Sequence, residues 1–396
     1  MNPKIDQLRT YPFSRLAARL EGVAPPSHLN PINMHIGEPR HAPPDVVAKL
    51  LGQGNGLGRY PASIGSPELR QSCAGALTRR YDLTSDFIDS ESMIVPVNGT
   101  REGLFAFVQA ATGRKRNGLV VMPNPFYQIY EGAAILAGVE PYYLNTTEDN
   151  NFVPNLKSIP ADIWHRCEVL FLCNPGNPSG TLMSADDWRL ALELADRYDF
   201  LVAADECYAD IYREGSRPVG LLEVCKEDGR SDLSRCAVFH SLSKRSNVPG
   251  LRSGFIAADP SIVEPLRQYR NYHGCAMAQT VQDASVAAWD DDLVPAENRH
   301  IYDQKYAAFM EILGEKWALT VPSGAFYLWP ETPLDDRDFV RGLFASQGVK
   351  LLPGQYLARE SEGYNPGRRR VRLSLVPDLA DCREAAKRIS TYLNTL

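Results

Sequence analysis

The sequence contains no apolar run that reaches the roughly 18–20 residues a membrane-spanning helix needs. It has no excess of basic residues either: 42 basic side chains stand against 48 acidic ones, a formal net charge of −6. This balance gives no reason to expect a nucleic-acid or anionic-membrane partner. The first twenty residues carry scattered charges and no apolar signal-peptide core. We therefore expect a cytoplasmic location, with neither membrane nor nucleic acid as a partner.

Patterns typical of metal sites and disulfides are also missing. The eight cysteines form no C-x-x-C pair, and the seven histidines show no H-E-x-x-H spacing. Cys173 and Cys236 lie inside apolar runs, where small buried thiols are common. The alternating glycines of 52–58 are no nucleotide fingerprint, because Arg59 stands where G-x-G-x-x-G needs its third glycine. We expect free thiols, a flexible loop at the glycines, and no metal ligands.

Short apolar runs alternate with helical patterns between about residues 90 and 260. The runs are apolar throughout, as in strands covered on both faces: 93–97, 119–122, 169–173, 200–204, 237–240 and 254–257. Between two of them, Ser184 and Asp187 form a capping-box pattern that predicts a helix over 184–198. This alternation predicts a mostly parallel α/β sheet.

The last hundred residues show a different pattern. The segments 317–321, 325–329 and 371–376 are strand-like, and 379–393 is an amphipathic helical pattern, which together favour a smaller α+β domain. A chain of 396 residues exceeds what one hydrophobic core usually serves. We predict an N-terminal arm that belongs partly to the small domain (1–45), a large domain (46–290) and a C-terminal small domain (291–396).

A lysine stands just after the run 237–240, where a strand should end. In open α/β sheets ligands bind beyond the carboxyl ends of the strands, and a partly buried lysine amine can form an imine with an aldehyde. Lys244 is therefore a candidate for covalent binding of a cofactor, although a solvated loop lysine remains an alternative. Ser241, Ser243 and Arg252 nearby would suit a phosphate.

Polar residues also follow the runs 200–204 and 169–173. A buried carboxylate at Asp205 could keep a pyridine nitrogen protonated, although a helix-capping aspartate is the alternative. Tyr208, in the following turn, and the amide of Asn177 could both reach a cofactor's ring oxygen. The alternative for Asn177 is an ordinary rigid loop, since two Asn-Pro pairs restrict this backbone.

Two more segments complete the pattern. Gly99, Thr100 and Arg101 open a helical run, and the N–H groups at a helix N-terminus can cradle a phosphate. Tyr127 follows the run 119–122 and could stack on a flat ring, or could be an ordinary core or surface aromatic.

In this order the segments resemble the fold type I, class I/II aminotransferases, enzymes that use pyridoxal 5′-phosphate. The matching positions span nearly the whole chain: Gly99-Thr100, Tyr127, Asn177-Pro178-Ser179-Gly180, Asp205 with Tyr208, Ser241-x-Ser243-Lys244, Arg252 and Val371-Arg372-Leu373-Ser374. The resemblance implies a large domain with a mostly parallel seven-stranded sheet between helices, plus a smaller α+β domain.

The resemblance also implies roles in holding the cofactor. Lys244 would bind it covalently and later move a proton, and Asp205 would pair with its ring nitrogen. Asn177 and Tyr208 would bond the ring oxygen, while Tyr127 would stack on the ring. The phosphate would be held by Ser241, Arg252 and the turn of Gly99, Thr100 and Arg101.

For the substrate, the resemblance implies that Arg372 binds the α-carboxylate and that Gly37 lines the same side. Tyr60 resembles a tyrosine that reaches the phosphate of the neighbouring subunit, which implies a homodimer. The sequence offers several arginines for the distal group of a substrate and does not rank them: Arg40, Arg101, Arg245 and Arg368.

Two further pairs of segments, 11–13 with 37–39 and 352–360 with 365–367, resemble the proteobacterial N-succinyldiaminopimelate aminotransferases, a group within that family. This resemblance implies transfer of an amino group from glutamate to N-succinyl-2-amino-6-oxopimelate, in diaminopimelate and lysine biosynthesis. Another aminotransferase of the aspartate, alanine or aromatic type, or a lyase, decarboxylase or synthase on the same fold, stays open. A ligand sensor without turnover is a third alternative, which the joint presence of Lys244, Asp205 and Arg372 disfavours.

Overall fold

Seven of the twelve strands form one sheet in the structure, a computed structural model that describes residues 1–396. The strands are β1 (Ile32–Asn33), β2 (Ile94–Val97), β3 (Leu119–Asn124), β4 (Glu140–Asn145), β5 (Cys167–Cys173), β6 (Leu201–Asp205), β7 (Cys236–Ser241), β8 (Gly254–Ala258), β9 (Tyr327–Leu328), β10 (Val349–Lys350), β11 (Leu352–Pro353) and β12 (Val371–Ser374).

The large sheet has the order β2-β8-β7-β6-β5-β3-β4. Only β8 runs antiparallel to its neighbours, so the mostly parallel seven-stranded sheet is confirmed. The polar segments that follow β2, β3, β5, β6 and β7 therefore meet at one edge, the edge of the carboxyl ends. A ligand site at this edge is the expected position for such a sheet.

Fourteen α-helices cover and flank the sheets. They are α1 (Pro12–Arg19), α2 (Asp45–Leu51), α3 (Pro67–Tyr81), α4 (Thr100–Ala111), α5 (Gln128–Ala137), α6 (Ala161–Arg166), α7 (Ala185–Tyr198), α8 (Leu221–Glu227), α9 (Leu242–Arg245), α10 (Pro260–His273), α11 (Gln279–Trp289), α12 (Leu293–Leu313), α13 (Asp336–Gln347) and α14 (Leu379–Leu393). None of them is both long and apolar enough to cross a bilayer.

The capping box predicted at the start of α7 is confirmed. The Ser184 hydroxyl accepts a hydrogen bond from the backbone N–H of Asp187 (3.2 Å), and the Asp187 carboxylate accepts one from the N–H of Ser184 (2.8 Å). Trp188, Ala191 and Leu192 on the predicted face are buried against the sheet's core.

The two faces of the large sheet bury different clusters, because successive residues of a strand point to opposite sides. Along β5, for example, Leu170 and Leu172 belong to one cluster, whereas Val169 and Phe171 belong to the other. A separate core of 28 buried residues joins the N-terminal segment, through Leu16 and Met34 among others, to residues between 306 and 392. The division into an arm (1–45), a large domain (46–290) and a small domain (291–396) stays a proposal.

Two details of the sequence prediction were wrong. The segment 317–321 is not a strand: Trp317 and Leu319 are buried, but Ala318 has φ +45°, which interrupts an extended backbone. Strand β4 was missed, because it lies at the sheet edge and only Leu144 of its six residues is buried. It therefore lacks the continuous apolar run that marked the inner strands.

Candidate functional site

A cavity of about 420 Å³ opens at the carboxyl edge of the large sheet. It collects residues from the large sheet and its helices together with residues from the N-terminal segment and the C-terminal core. Eleven of the thirteen predicted site residues line it: Gly37, Thr100, Arg101, Tyr127, Asn177, Asp205, Tyr208, Ser241, Lys244, Arg252 and Arg372.

Lys244 lies on α9, the short helix that directly follows β7. The hydroxyl of Ser241 caps this helix by accepting a hydrogen bond from the N–H of Ser243 (3.1 Å). The Lys244 amine donates a hydrogen bond to the carbonyl oxygen of Gly37 and pairs with no carboxylate. Burial of the amine lowers its pKa from 10.5 to about 8. An appreciable fraction of the amine is therefore unprotonated, and nucleophilic, near neutral pH.

Asp205 is the last residue of β6 and is 4% exposed. Its carboxylate accepts hydrogen bonds from the hydroxyl of Tyr130 (2.5 Å) and the backbone N–H of Cys207 (3.3 Å), but it forms no ion pair. Burial raises the pKa of this carboxyl. A protonated ring nitrogen would provide the missing positive partner, so Asp205 fits the pyridine end of the cofactor.

A second part of the cavity fits a phosphate. Gly99, at φ +80°, caps α4, and the first N–H groups of a helix have no partners within it. The guanidinium of Arg252 lies so close to Gly99 that a Cβ atom there would collide with it. Arg252 bonds only carbonyl oxygens, those of Pro249 (2.9 Å) and Asn98 (3.3 Å). Free N–H groups and an unpaired arginine suit a dianion.

Arg372, on β12, is 5% exposed and also lacks an acidic partner. It donates hydrogen bonds to Asn177 Oδ1 (3.1 Å) and the carbonyl oxygen of His35 (2.9 Å), while its Nε atom is buried without any partner. A planar carboxylate would satisfy such a group, since guanidinium and carboxylate match in geometry. The contact also turns the Asn177 Nδ2 group away from Arg372 and leaves it free to donate.

Three residues of the site were missed by the sequence analysis. Tyr130 bonds Asp205 from α5, and the hydroxyls of Tyr327 and Tyr208 are hydrogen-bonded to each other (2.7 Å). The Sγ atom of Cys207 lies 3.1 Å from the hydroxyl of Thr100. Tyr327 also explains Gly37, because a Cβ atom at position 37 would collide with the tyrosine hydroxyl.

The four arginines considered for binding a distal substrate group differ in their position relative to the cavity and in their ion pairs. Arg101 lines the cavity, where it donates to the hydroxyls of Tyr127 (2.9 Å) and Tyr11 (3.3 Å) and pairs with no acid. Arg245 is buried in ion pairs with Asp210 (3.3 Å) and Asp292 (2.5 Å), outside the cavity. Arg40 and Arg368 are exposed and do not line the cavity. Only Arg101 is both close to the site and unpaired.

The two remaining predicted residues do not line the cavity. Gly99 lies directly behind Arg252, as described above. Tyr60 is fully exposed on the surface of this single chain, so its predicted contact with a neighbouring subunit stays a prediction.

Comparison with known proteins is consistent with this geometry. Residues 30–389 match the family model described as "Aminotransferase class I and II". The chain is 42% identical to an aminotransferase of Neisseria meningitidis of known structure, with a TM-score of 0.93 and 99% of each chain covered. It is 30% identical to an LL-diaminopimelate aminotransferase of Syntrophobacter fumaroxidans, over 90% of each sequence. A structure titled "probable N-succinyldiaminopimelate aminotransferase" from Thermus thermophilus is 26% identical, with a TM-score of 0.81 and coverage of 96% and 99%. The chain therefore belongs to the class I and II aminotransferases, a family that depends on pyridoxal 5′-phosphate.

Proposed function

We propose that this aminotransferase moves an amino group from glutamate to N-succinyl-2-amino-6-oxopimelate. The observation that carries the proposal is that two arginines without an ion-pair partner, Arg372 and Arg101, line the same cavity as Lys244. Two cations without acidic partners favour substrates with a second carboxylate beyond the α-carboxylate. Glutamate and the succinylated acceptor both have one. The motif resemblance at 352–360 and 365–367 supports the same substrate.

The second candidate is LL-diaminopimelate without the succinyl group, because several curated relatives carry the name LL-diaminopimelate aminotransferase. The two substrates differ in charge at the distal end: one presents a free ammonium, the other an amide with an additional carboxylate. The positive charge of Arg101 attracts the additional carboxylate and repels the ammonium. This difference favours the succinylated substrate.

When bound, pyridoxal phosphate supplies an aldehyde for condensation with amines and a ring that stabilises negative charge at the substrate's α-carbon. The chain's own residues bind, orient and move protons around it. Arg372 fixes the α-carboxylate, and Asp205 stabilises positive charge at the ring nitrogen. Lys244 accepts the α-proton, and general base catalysis of this kind typically contributes about 10²–10⁴ in rate. We also propose a homodimer in which Tyr60 reaches the partner's site.

We expect Lys244→Ala to lose the visible absorption band of the bound cofactor and to lower kcat by at least about a hundredfold, because it removes both the covalent anchor and the base. Borohydride reduction of the unmutated enzyme, followed by peptide mapping, should place the cofactor on Lys244. Lys305 is the internal control, since it is fully buried and its pKa is also lowered to about 8. Label on Lys305, or an unchanged spectrum in the variant, would contradict the assignment.

The lowered pKa of Lys244 predicts how cofactor binding depends on pH. Only the unprotonated amine condenses with an aldehyde, so the rate constant for binding of pyridoxal phosphate to the apoenzyme should rise with pH and level off above about 8. Stopped-flow absorbance measures this rate. If the rate still climbs steeply at about pH 9.5, the amine keeps the ordinary pKa of a lysine.

The choice between the two substrates can be tested in the direction that uses 2-oxoglutarate as acceptor. With equal concentrations of N-succinyl-LL-diaminopimelate and LL-diaminopimelate as amino donors, we expect kcat/KM to be higher for the succinylated compound. Mass spectrometry of the keto-acid products and of the glutamate formed measures the rate with each donor. A higher kcat/KM for LL-diaminopimelate would reverse the proposed specificity while leaving the transamination itself in place.

Arg101→Gln tests which residue binds the distal group. Loss of a charge-assisted hydrogen bond should lower kcat/KM for the succinylated substrate about tenfold more than kcat/KM for alanine, which has no distal carboxylate. Arg368→Gln is the matched control. Arg368 is exposed and lies outside the cavity, so kcat/KM should stay unchanged for the succinylated substrate and for alanine. Equal losses for both substrates in Arg101→Gln would assign the arginine to the cofactor alone.

A further inference from the structure

A group of three potential metal ligands lies on the surface next to the phosphate-binding turn. We propose that Glu102, His273 and Cys275 form a binding site for a divalent transition metal ion, with Zn²⁺ the ion that fits best. A carboxylate, an imidazole and a thiolate are the three ligand types that Zn²⁺ takes in proteins. The sequence analysis predicted no metal site, because these ligands come from segments far apart in the chain and match no spacing motif.

The distances within the group approach those of a coordinated ion. His273 Nδ1 and Cys275 Sγ are 3.0 Å apart, Cys275 Sγ and Glu102 Oε1 are 3.2 Å apart, and His273 Nδ1 and Glu102 Oε1 are 3.8 Å apart. Tetrahedral Zn²⁺ with ordinary bond lengths requires separations of about 3.4–3.6 Å between its ligands. Shifts of about half an ångström, within the range of side-chain rotation, would therefore create the site.

Local structure places the three ligands on two neighbouring helices and on the loop that follows the second of them. Glu102 lies in the first turn of α4, and His273 is the last residue of α10. Gly274 follows at φ +78°, a conformation that lets the chain turn back and bring Cys275 beside His273. The His273 ring stacks on Tyr269, with ring centroids 5.5 Å apart. The fourth coordination position would be left to water or an exogenous ligand, since the His273 side chain is 36% exposed.

One positive charge opposes a cation at this position. The Arg270 guanidinium lies 3.4 Å from Glu102, but it faces Oε2, whereas the proposed ligand atom is Oε1. Arg270 is itself held by the carbonyl oxygens of Pro96 (2.7 Å) and Cys275 (2.8 Å). The carboxylate of Glu102 and the thiolate formed on metal binding together outweigh this one cation.

The site is connected to the cofactor-binding region through Glu102. Its Oε2 atom accepts a hydrogen bond from the backbone N–H of Asn98 (3.0 Å), the residue just before Gly99. A metal ion on Oε1 would therefore fix the carboxylate that in turn holds the start of the phosphate-binding turn. The proposal itself concerns metal binding and does not depend on the identity of the amino acceptor.

Metal binding can be measured on the holoenzyme after treatment with EDTA. We expect one Zn²⁺ per chain in competition with a chromophoric chelator, and we expect Cys275→Ser and His273→Asn each to weaken the affinity by at least about tenfold. Co²⁺ should give the visible spectrum of a tetrahedral site with a thiolate ligand. His300→Asn is the matched control. His300 is an exposed histidine that contacts Gln304 (2.9 Å) and does not belong to the proposed metal site.

A second measurement needs no variant. Alkylation of Cys275 by iodoacetamide, mapped by mass spectrometry in the unmutated holoenzyme, should be slowed at least about tenfold by stoichiometric Zn²⁺. Zinc binding that is unchanged in both variants would overturn the proposal. Alkylation of Cys275 that zinc does not slow would do the same, and would identify the group as three hydrogen-bonded side chains without an ion.

Discussion

The cavity encloses charged side chains that the chain itself does not neutralise. Lys244, Asp205 and Arg372 each lie largely out of water, and none of them forms an ion pair with another residue. An unpaired ion in such surroundings costs several kcal/mol, and part of this cost is visible as the lowered pKa of Lys244 and the raised pKa of Asp205. The compensating charges are those of the cofactor and the substrate. The Asn177 amide and the hydrogen-bonded pair of Tyr208 and Tyr327 line the same cavity as these three groups.

Much of the fold follows from the sequence because burial on both faces leaves a simple pattern. The inner strands β3, β5, β6 and β7 are continuous apolar runs, and a helix between two of them was delimited correctly by its capping box. The edge strand β4 was not found, since its residues are mostly exposed and mixed in character. In the segment 317–321 apolar side chains recur at every second residue, as in a strand. Trp317 and Leu319 are indeed buried, but the backbone there forms a turn and the residues after it.

The candidate site could be predicted to a similar extent, and for a related reason. Polar residues that come soon after an apolar run, such as Asn177, Asp205 and Lys244, stand out against that run in the sequence. Tyr130 and Tyr327 do not stand out, because Tyr130 lies inside helix α5 and Tyr327 lies in strand β9, and each reaches the site only through tertiary packing. The ranking of the arginines also needed the structure, since the ion pairs of Arg245 join residues that no sequence pattern connects.

The hydrogen bond from Lys244 to the carbonyl oxygen of Gly37 joins the two cores of the molecule. Gly37 lies three residues after Met34, which is packed in the core shared by the N-terminal segment and the C-terminal residues, whereas Lys244 lies on α9, directly after strand β7 of the large sheet. A nitrogen that gains a bond to carbon has fewer protons left to donate. Covalent attachment at Lys244 and the hydrogen bond to Gly37 therefore compete for the same nitrogen atom. The neighbouring residues keep their own anchors, because Arg372 donates a hydrogen bond to the carbonyl oxygen of His35 (2.9 Å) whichever partner Lys244 has.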